Sequence, residues 1–376
     1  MKKVIHIVGA RPNFMKVAPI YRAIAARTPL QQILVHTGQH YDAKMSDVFF
    51  ADLGLPAPDV HLGIGSGSHA QQTARMMVEL EKVFLEHQPD LVSVVGDVNS
   101  TIAAALVTSK LAIPLAHVEA GLRSFVQHMP EEVNRVVTDR LSDLLLTPSR
   151  DANANLLKEG IDPARIHLVG NVMIDSLLEA KEKAERLPTL TNLGLTPRGY
   201  AVCTLHRASN VDDPRLLGGL LSGIAHVSTR MPVIFPVHPR TRKMIAEQGL
   251  GHWFERHPNL RPVDPMGYLD FVALMAQARL VLTDSGGLQE ETTALGVQCL
   301  TLREETERPI TVEEGTNEVV GTDPDRIREA ADRVFDGKGK EGRIPEFWDG
   351  RTGERIADLF ARYLGVEHAP PRAAYA

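Results

Sequence analysis

Short runs dense in Val, Ile and Leu alternate along this chain with longer stretches whose apolar residues fall three and four apart. Runs of the first kind read as strands buried on both faces of a parallel sheet, and stretches of the second kind as the helices that cover it. In the first half the strand candidates are VIHIVG (4–9), QQILVHTG (31–38), LVSVVGD (91–97), IPLAHVEA (113–120), DLLLTPS (143–149) and IHLVG (166–170). Helical patterns follow most of them, notably FMKVAPIYRAIAAR and HAQQTARMMVELEKVFLEH.

The alternation then restarts. A helical segment from Val172 to Leu187 leads into PTLTNLGLTPRG, whose Pro, Thr and Gly read as a connection. A second strand series follows: YAVCTLH (200–206), MPVIFPVHP (231–239), LRPVD (260–264), RLVLTDSG (279–286), VQCLTL (297–302) and NEVVGT (317–322). Two such series predict two doubly wound α/β domains, 1–170 and 171–350, with a ligand cleft between them. The last helical pattern, RTGERIADLFARYLG, lies in a C-terminal segment, 351–376, expected to join the first domain.

Composition narrows the function classes. With 376 residues the chain has room for two cores, and 43% apolar and 23% charged residues suit an ordinary globular protein. The net charge of -6, with scattered basic residues, argues against a nucleic-acid binder. No apolar run reaches the ~20 residues of a membrane span, and MKKVIHIVGA meets Arg11 too early for a signal peptide, so a cytoplasmic location without membrane contact is expected. Cys203 and Cys299 sit inside apolar runs and read as reduced core residues.

In open parallel sheets ligands sit at the carboxyl ends of strands, so the residues that end each run carry the chemistry. Those ends hold Gly9-Ala10-Arg11, Gly96-Asp97, Glu119, His206-Arg207, His238 and Asp284-Ser285-Gly286-Gly287. GARPN before a helix resembles a glycine turn whose helix amides face an anion, with Arg11 able to grip phosphate and Lys16 one turn further on. TDSGGLQEE offers a second phosphate loop, with Glu291 one helical turn inward, within reach of ribose hydroxyls.

Asp97 also qualifies as the N-cap of a helix starting near Val98. Glu119 has no evident structural reason to end a buried strand. Glu131 and Glu132 follow Pro130 and suit the first turn of a helix, an explanation that suffices for Glu132 and leaves Glu131 open. His206 and His238 both end apolar runs, where a lone histidine is more often a hydrogen-bonded packing residue than a catalyst. No HExxH or comparable spacing indicates a metal site.

Taken in order, GARPNFMKVAP, GDVNST, HVEAGLRS with MPEEVNR, TLHR, PVHP, LTDSGGLQEE and TERPI resemble the non-hydrolysing UDP-N-acetylglucosamine 2-epimerases, from the first strand to about Thr322. The resemblance implies the GT-B architecture and interconversion of UDP-GlcNAc and UDP-ManNAc with no nicotinamide, metal or other cofactor. The route it implies is anti elimination of UDP to 2-acetamidoglucal, followed by re-addition with protonation of the opposite face of C2. Carried over by motif position, Asp97, Glu119 and Glu131 correspond to catalytic carboxylates and His206 to a residue acting beside the pyrophosphate. Arg11, Lys16, Arg135, Phe271, Ser285, Gly286, Gly287, Glu291 and Arg308 correspond to substrate-binding residues. A homodimer and a role in polysaccharide biosynthesis are further family expectations.

The chain departs from many bacterial relatives in reading ARPN for TRPE, so Asn13 replaces an acid, and LHRASN for GHRRES. TGQHYDAKMSD and GSGSHAQQT differ from the family segments that form a second, activating UDP-GlcNAc site, so that site is not carried over by motif. A hydrolysing epimerase, a GT-B glycosyltransferase and a catalytically silent nucleotide-sugar sensor are the competing readings.

Overall fold

The computed structural model describes residues 1–38, 53–126 and 128–366. The chain divides into two compact units, residues 1–176 with 346–376, and residues 177–345.

The first unit holds a seven-stranded sheet of β1 (Lys3–Val8), β2 (Gln31–His36), β3 (Val60–His61), β4 (Leu91–Val95), β5 (Leu115–Val118), β6 (Leu144–Thr147) and β7 (Ile166–Leu168), in the order β3-β2-β1-β4-β5-β6-β7. Every pairing in it is parallel. Side chains alternate between its faces. Val4, Val8, Leu34, Leu91 and Val95 pack with Phe14, Ile20 and Ile24 of helix Arg11–Arg27 and with Ile356 and Phe360 of helix Thr352–Leu364. Ile5, Ile7, Ile33, Val35, Val92 and Val94 pack on the other face with Met76, Leu80 and Phe84 of helix His69–His87 and with Ala103, Ala104 and Val107 of helix Asn99–Leu111. Being covered twice is why these strands are apolar at almost every position.

The C-terminal helix is fastened to this unit by polar contacts. Asp175 accepts hydrogen bonds from the Thr352 and Gly353 amides (3.2 and 2.7 Å), and the buried Trp348 indole donates to the Pro148 carbonyl (2.9 Å). Residues 367–376 lie outside the described residues.

The second unit has six parallel strands, β8 (Ala201–Thr204), β9 (Val233–Pro236), β10 (Leu260–Val263), β11 (Leu280–Thr283), β12 (Gln298–Thr301) and β13 (Asn317–Val319), ordered β10-β9-β8-β11-β12-β13. Its core joins Ala201, Cys203, Val233, Phe235, Leu280 and Leu282 to the apolar face of helix Pro214–Ser228, led by Leu217, Leu220, Leu221 and Ile224.

All twelve runs read as strands contain one; the two-residue β3 was too short to leave a pattern. Each sheet reverses its winding direction once, between β1 and β4 in the first and between β8 and β11 in the second. At such a switch point adjacent connections leave on opposite faces and open a crevice at the carboxyl ends of the strands. Gly9-Ala10 and Gly96-Asp97 follow β1 and β4, while Leu205-His206 and Asp284-Ser285 follow β8 and β11.

Candidate active site

At the first switch point Asn13 organises the loop after β1. Its amide oxygen accepts from the Gly9 and Ala10 backbone N–H groups (3.1 and 2.9 Å), and its NH₂ donates to the Val95 carbonyl at the end of β4 (3.2 Å). A carboxylate could accept the first two bonds but not donate the third, so Asn in ARPN ties β1 to β4 where an acid could not. Arg11 opens the helix that follows; its side chain is outside the described residues.

Lys16, on the next turn, places Nζ 2.5 Å from Oε2 of Glu119, whose side chain is only 5% exposed. Glu119 has φ of +67°, a left-handed conformation that costs a non-glycine residue roughly 1–2 kcal/mol. Gly96 is also left-handed, at +69°, and a Cβ there would lie 3.4 Å from Lys16 Nζ, 3.7 Å from Glu119 Oε2 and 3.8 Å from Asn13 Nδ2. The ends of β1, β4 and β5 therefore meet around one acid and one ammonium.

Asp97 follows Gly96 and is held by helix Pro130–Leu141. Arg135 Nη1 donates to Asp97 Oδ2 (2.5 Å), and Asn134 Nδ2 donates to the Asp97 carbonyl (2.8 Å). The N-cap position of the helix after β4 belongs to Val98, without a side-chain bond, so Asp97 does not cap it; the carboxylate is turned to Arg135 instead.

Glu132 is more than a first-turn acid. It is buried, accepts from the Ser124 and Phe125 amides (both 2.9 Å), and takes two bonds from Arg135 (3.0 and 2.6 Å). Burial opposes its charge, but these donors and the guanidinium hold its carboxyl below the usual range. Arg135 thus sits between two carboxylates and fixes Asp97 relative to the loop after β5. Glu131, next to Glu132, is exposed. It lines a cavity of about 390 Å³ together with Asp97, Gln72, Asn99 and Asn134.

In the second unit Asp284, fully buried after β11, accepts from the amides of His206 (3.0 Å) and Arg207 (2.9 Å) and lies 2.8 Å from His206 Nδ1. Burial works against its charge, yet the His206 ring and the two amides keep its carboxyl below the ordinary value. That contact orients a histidine whose side chain remains 43% exposed.

Helix Gly286–Leu295 begins two residues after Asp284. Ser285 stands at its N-cap position and makes no side-chain cap bond, so the first amides of a helix that starts Gly-Gly are presented as an anion site is built. Glu307 stands beside Gly286 and pairs with Arg207 (3.3 Å) and Arg303 (2.8 Å). Although burial raises it, Arg308, Arg303 and Arg207 pull the Glu307 carboxyl down to about 2.

Glu291, one turn into the same helix, is buried, and burial with the neighbouring charge of Glu290 pushes its carboxyl up to about 8. Arg308 pairs with Glu290 (2.8 Å). Phe271 is half-buried on helix Tyr268–Ala276. Among the described residues no three His, Cys, Asp or Glu side chains gather as metal ligands would.

Each unit therefore builds a polar site at its own switch point, one rich in acid/base groups and one suited to an anion. Residues 22–361 match the family described as UDP-N-acetylglucosamine 2-epimerase. The chain belongs to that family. UDP-N-acetylglucosamine 2-epimerase of Methanococcus maripaludis is 42% identical over 364 residues, covering 96% of this chain and 98% of the relative. UDP-2,3-diacetamido-2,3-dideoxy-D-glucuronate 2-epimerase of Pseudomonas aeruginosa is 43% identical over 364 residues, covering 96% and 99%.

Among solved structures, UDP-GlcNAc 2-epimerase of Methanocaldococcus jannaschii in complex with UDP-GlcNAc and UDP has a TM-score of 0.84 at 42% identity, covering 96% of this chain and all of that one. The likeness places the chain in the GT-B class expected of a UDP-N-acetylglucosamine 2-epimerase.

Asn13, Glu132 and Asn134 escaped the sequence reading as site-building residues. The last two carried a readable signal: along PEEVNRVVTDRL the buried residues include Glu132, Arg135 and Asp139, and Asn134 and Thr138, at helical spacing, while Val133 and Val136 are exposed. A helix that buries its polar face and exposes its valines is lining a site, not a core. Of the segment TGQHYDAKMSD, residues 39–47 are outside the described residues.

Proposed function

We propose that this chain interconverts UDP-GlcNAc and UDP-ManNAc by non-hydrolysing 2-epimerisation. The observation that carries the reading is the pairing of Lys16 with the buried, left-handed Glu119 beside Gly96, the residue before Asp97, in a chain aligned almost end to end with 2-epimerases. Epimerisation through a glycal removes the C2 proton from one face, breaks the C1–O bond so that UDP departs with the electron pair, and restores both on re-addition. Two acid/base groups are needed on opposite faces of C2. Glu119, Asp97 and Glu131 are the candidates. The charge that develops on the leaving diphosphate is met by His206 and the amides of Ser285, Gly286 and Gly287, with Glu291 on the ribose, Phe271 near the uracil, and Arg11 and Arg308 as further ligands.

A second reading has a specific observation behind it: the Pseudomonas aeruginosa relative, equally similar, is named for a diacetamido-glucuronate substrate. The elimination chemistry is shared, and the sugar's C3 and C5 substituents differ. Incubation with each UDP-sugar in heavy water separates the readings. UDP-ManNAc carrying deuterium at C2 is the expected product from UDP-GlcNAc; free ManNAc would indicate a hydrolysing enzyme. Turnover of only the diacetamido-glucuronate would assign the second substrate, and unlabelled UDP-ManNAc would rule out proton exchange with solvent at C2. A homodimer belongs to the same reading, supported by the exposed Val133 and Val136, and sedimentation velocity tests it.

A further inference from the structure

Behind the two strand-end carboxylates lies a polar chain that the reaction scheme does not use. His117, fully buried on β5, places Nδ1 2.6 Å from Asp139 Oδ1 and Nε2 2.8 Å from the Gly96 carbonyl. The other oxygen of Asp139 accepts from the Gly121 amide (3.0 Å) and lies 2.7 Å from Arg123 Nη1, and Arg123 is held in turn by Glu159 (2.7 Å). The buried Arg123 guanidinium thus stands between two carboxylates, and a buried charge is tolerated only when it is paired in this way.

Both ring nitrogens of His117 face acceptors. A neutral imidazole carries one N–H and can satisfy only one of them, so this site calls for the doubly protonated ring. Burial opposes the charge of Asp139, but the contacts with His117 and Arg123 outweigh burial and hold its carboxyl low.

The connectivity has a geometric consequence. Asp139 grips the chain at His117 and at Gly121, two residues on either side of Glu119. The segment between those grips contains Glu119 at φ +67° and Gly121 at φ +81°. Through the ring of His117 the same aspartate reaches the carbonyl of Gly96, the residue before Asp97. One carboxylate thereby links the turns that present both acids.

We propose that the buried His117–Asp139 pair is the positioning device for Glu119 and Asp97, holding the first in its left-handed conformation and the second at the end of its Gly96 turn. The proposal rests on the epimerase reading for its kinetic consequence and on geometry alone for its physical one. In Asp139→Asn the amide oxygen can still accept from the Gly121 amide and the NH₂ can donate to Nδ1 of a neutral His117, whose Nε2–H still reaches Gly96. The links survive while the charge is lost. Asp139→Ala removes them all.

The test compares these two variants with wild type. Expected for Asp139→Ala is a kcat lowered at least 100-fold with KM within threefold, and for Asp139→Asn a kcat within about tenfold of wild type. ¹⁵N NMR of histidine-labelled wild type at pH 7.5 is expected to show both His117 nitrogens protonated, and Asp139→Asn only one.

A folded Asp139→Ala enzyme turning over within threefold of wild type overturns the proposal, and so does a wild-type ring with one bare nitrogen. If Asp139→Ala does not fold, Asp139→Asn decides: its NMR must show the singly protonated ring with the Gly121 amide still hydrogen-bonded, and loss of that bond refutes the linkage. Should wild type turn over neither UDP-GlcNAc nor the UDP-diacetamido-glucuronate, the epimerase reading fails while the NMR outcomes still judge the linkage.

Discussion

Removing Lys16 should expose how much of the first site is electrostatic. Its ammonium is 2.5 Å from Glu119 Oε2, and the two side chains are 15% and 5% exposed. Breaking a buried pair by deleting one partner typically costs 3–5 kcal/mol, because a charge is left in a medium that solvates it poorly. The residual exposure of Lys16 lets water reach the vacated space, so about 2–3 kcal/mol is expected for Lys16→Met. Glu119→Gln keeps the shape and should cost about 1 kcal/mol, the price of an ammonium that still touches water. Lys16→Met with Glu119→Gln removes both charges and should cost only about 1 kcal/mol relative to wild type, giving a coupling of roughly -2 to -3 kcal/mol. The chain has two tryptophans, and Trp348, 2% exposed, lies in the first unit with the pair. Urea melts followed by fluorescence in a Trp253→Phe background therefore report on that unit alone, which matters because a two-unit protein need not melt in one step. Strict additivity of the two substitutions, or a Lys16→Met cost under about 0.5 kcal/mol, would refute the electrostatic account.

The second unit offers a pH prediction. Glu291 is pushed from 4.5 up to about 8, so below pH 4.5 it is protonated in both folded and unfolded chains and costs nothing. Between those values the unfolded chain ionises and the folded one does not, so stability falls as pH rises, by at most about 1.4 kcal/mol per pH unit, and levels off above pH 8. Glu291→Gln should flatten that slope in urea melts read from Trp253, and an unchanged slope would remove Glu291 as its source. Two glycines should separate folding from binding. A Cβ on Gly121 would lie 2.5 Å from the Ala152 carbonyl at φ +81°, so Gly121→Ala should lower stability by about 3 kcal/mol or more in thermal melts. A Cβ on Gly287 meets no described atom within 4 Å, so Gly287→Ala should leave the melt unchanged or raise it slightly while weakening UDP binding about tenfold by calorimetry. Undiminished UDP affinity in that variant would argue against a diphosphate approaching these amides. Glu119→Gln is further expected to bind UDP as wild type does and to lose most turnover; retained turnover would take proton transfer away from Glu119.

Sheet order was not in the sequence, but its consequence was nearly so. Strands covered on both faces must be apolar throughout, so the runs ending in Gly9, Gly96, Glu119, His206 and Asp284 could be found by eye, and a parallel sheet brings their ends to one edge. What could not be read is which side chain answers which. Asp97 has the spacing of an N-cap and the fate of an arginine partner, because Arg135, 38 residues later, offers a charge at 2.5 Å and the helix amides offer only a dipole. Asn13 appears as a departure from an acid, and only the Val95 carbonyl explains why an amide fits.

Glu131 and Glu132 are the sharper lesson, since adjacent identical residues at the start of one helix differ by about 100° in direction. One faces the cavity beside Asp97, and the other is buried against Arg135 and the Ser124–Phe125 turn. The dipole argument treats both alike because both are in the first turn. The periodicity argument does not: Glu132, Arg135 and Asp139 share a stripe that Val133 and Val136 do not enter, so the polar face must be the covered one. Covering that many polar groups is unfavourable unless each finds a partner. The partners are Asp97, the turn after β5 and the His117 ring, which are the groups that set where the proposed acids stand. The exposure of Glu131 follows from the same rotation of the helix, and so does its place in the lining of the cavity it shares with Asp97.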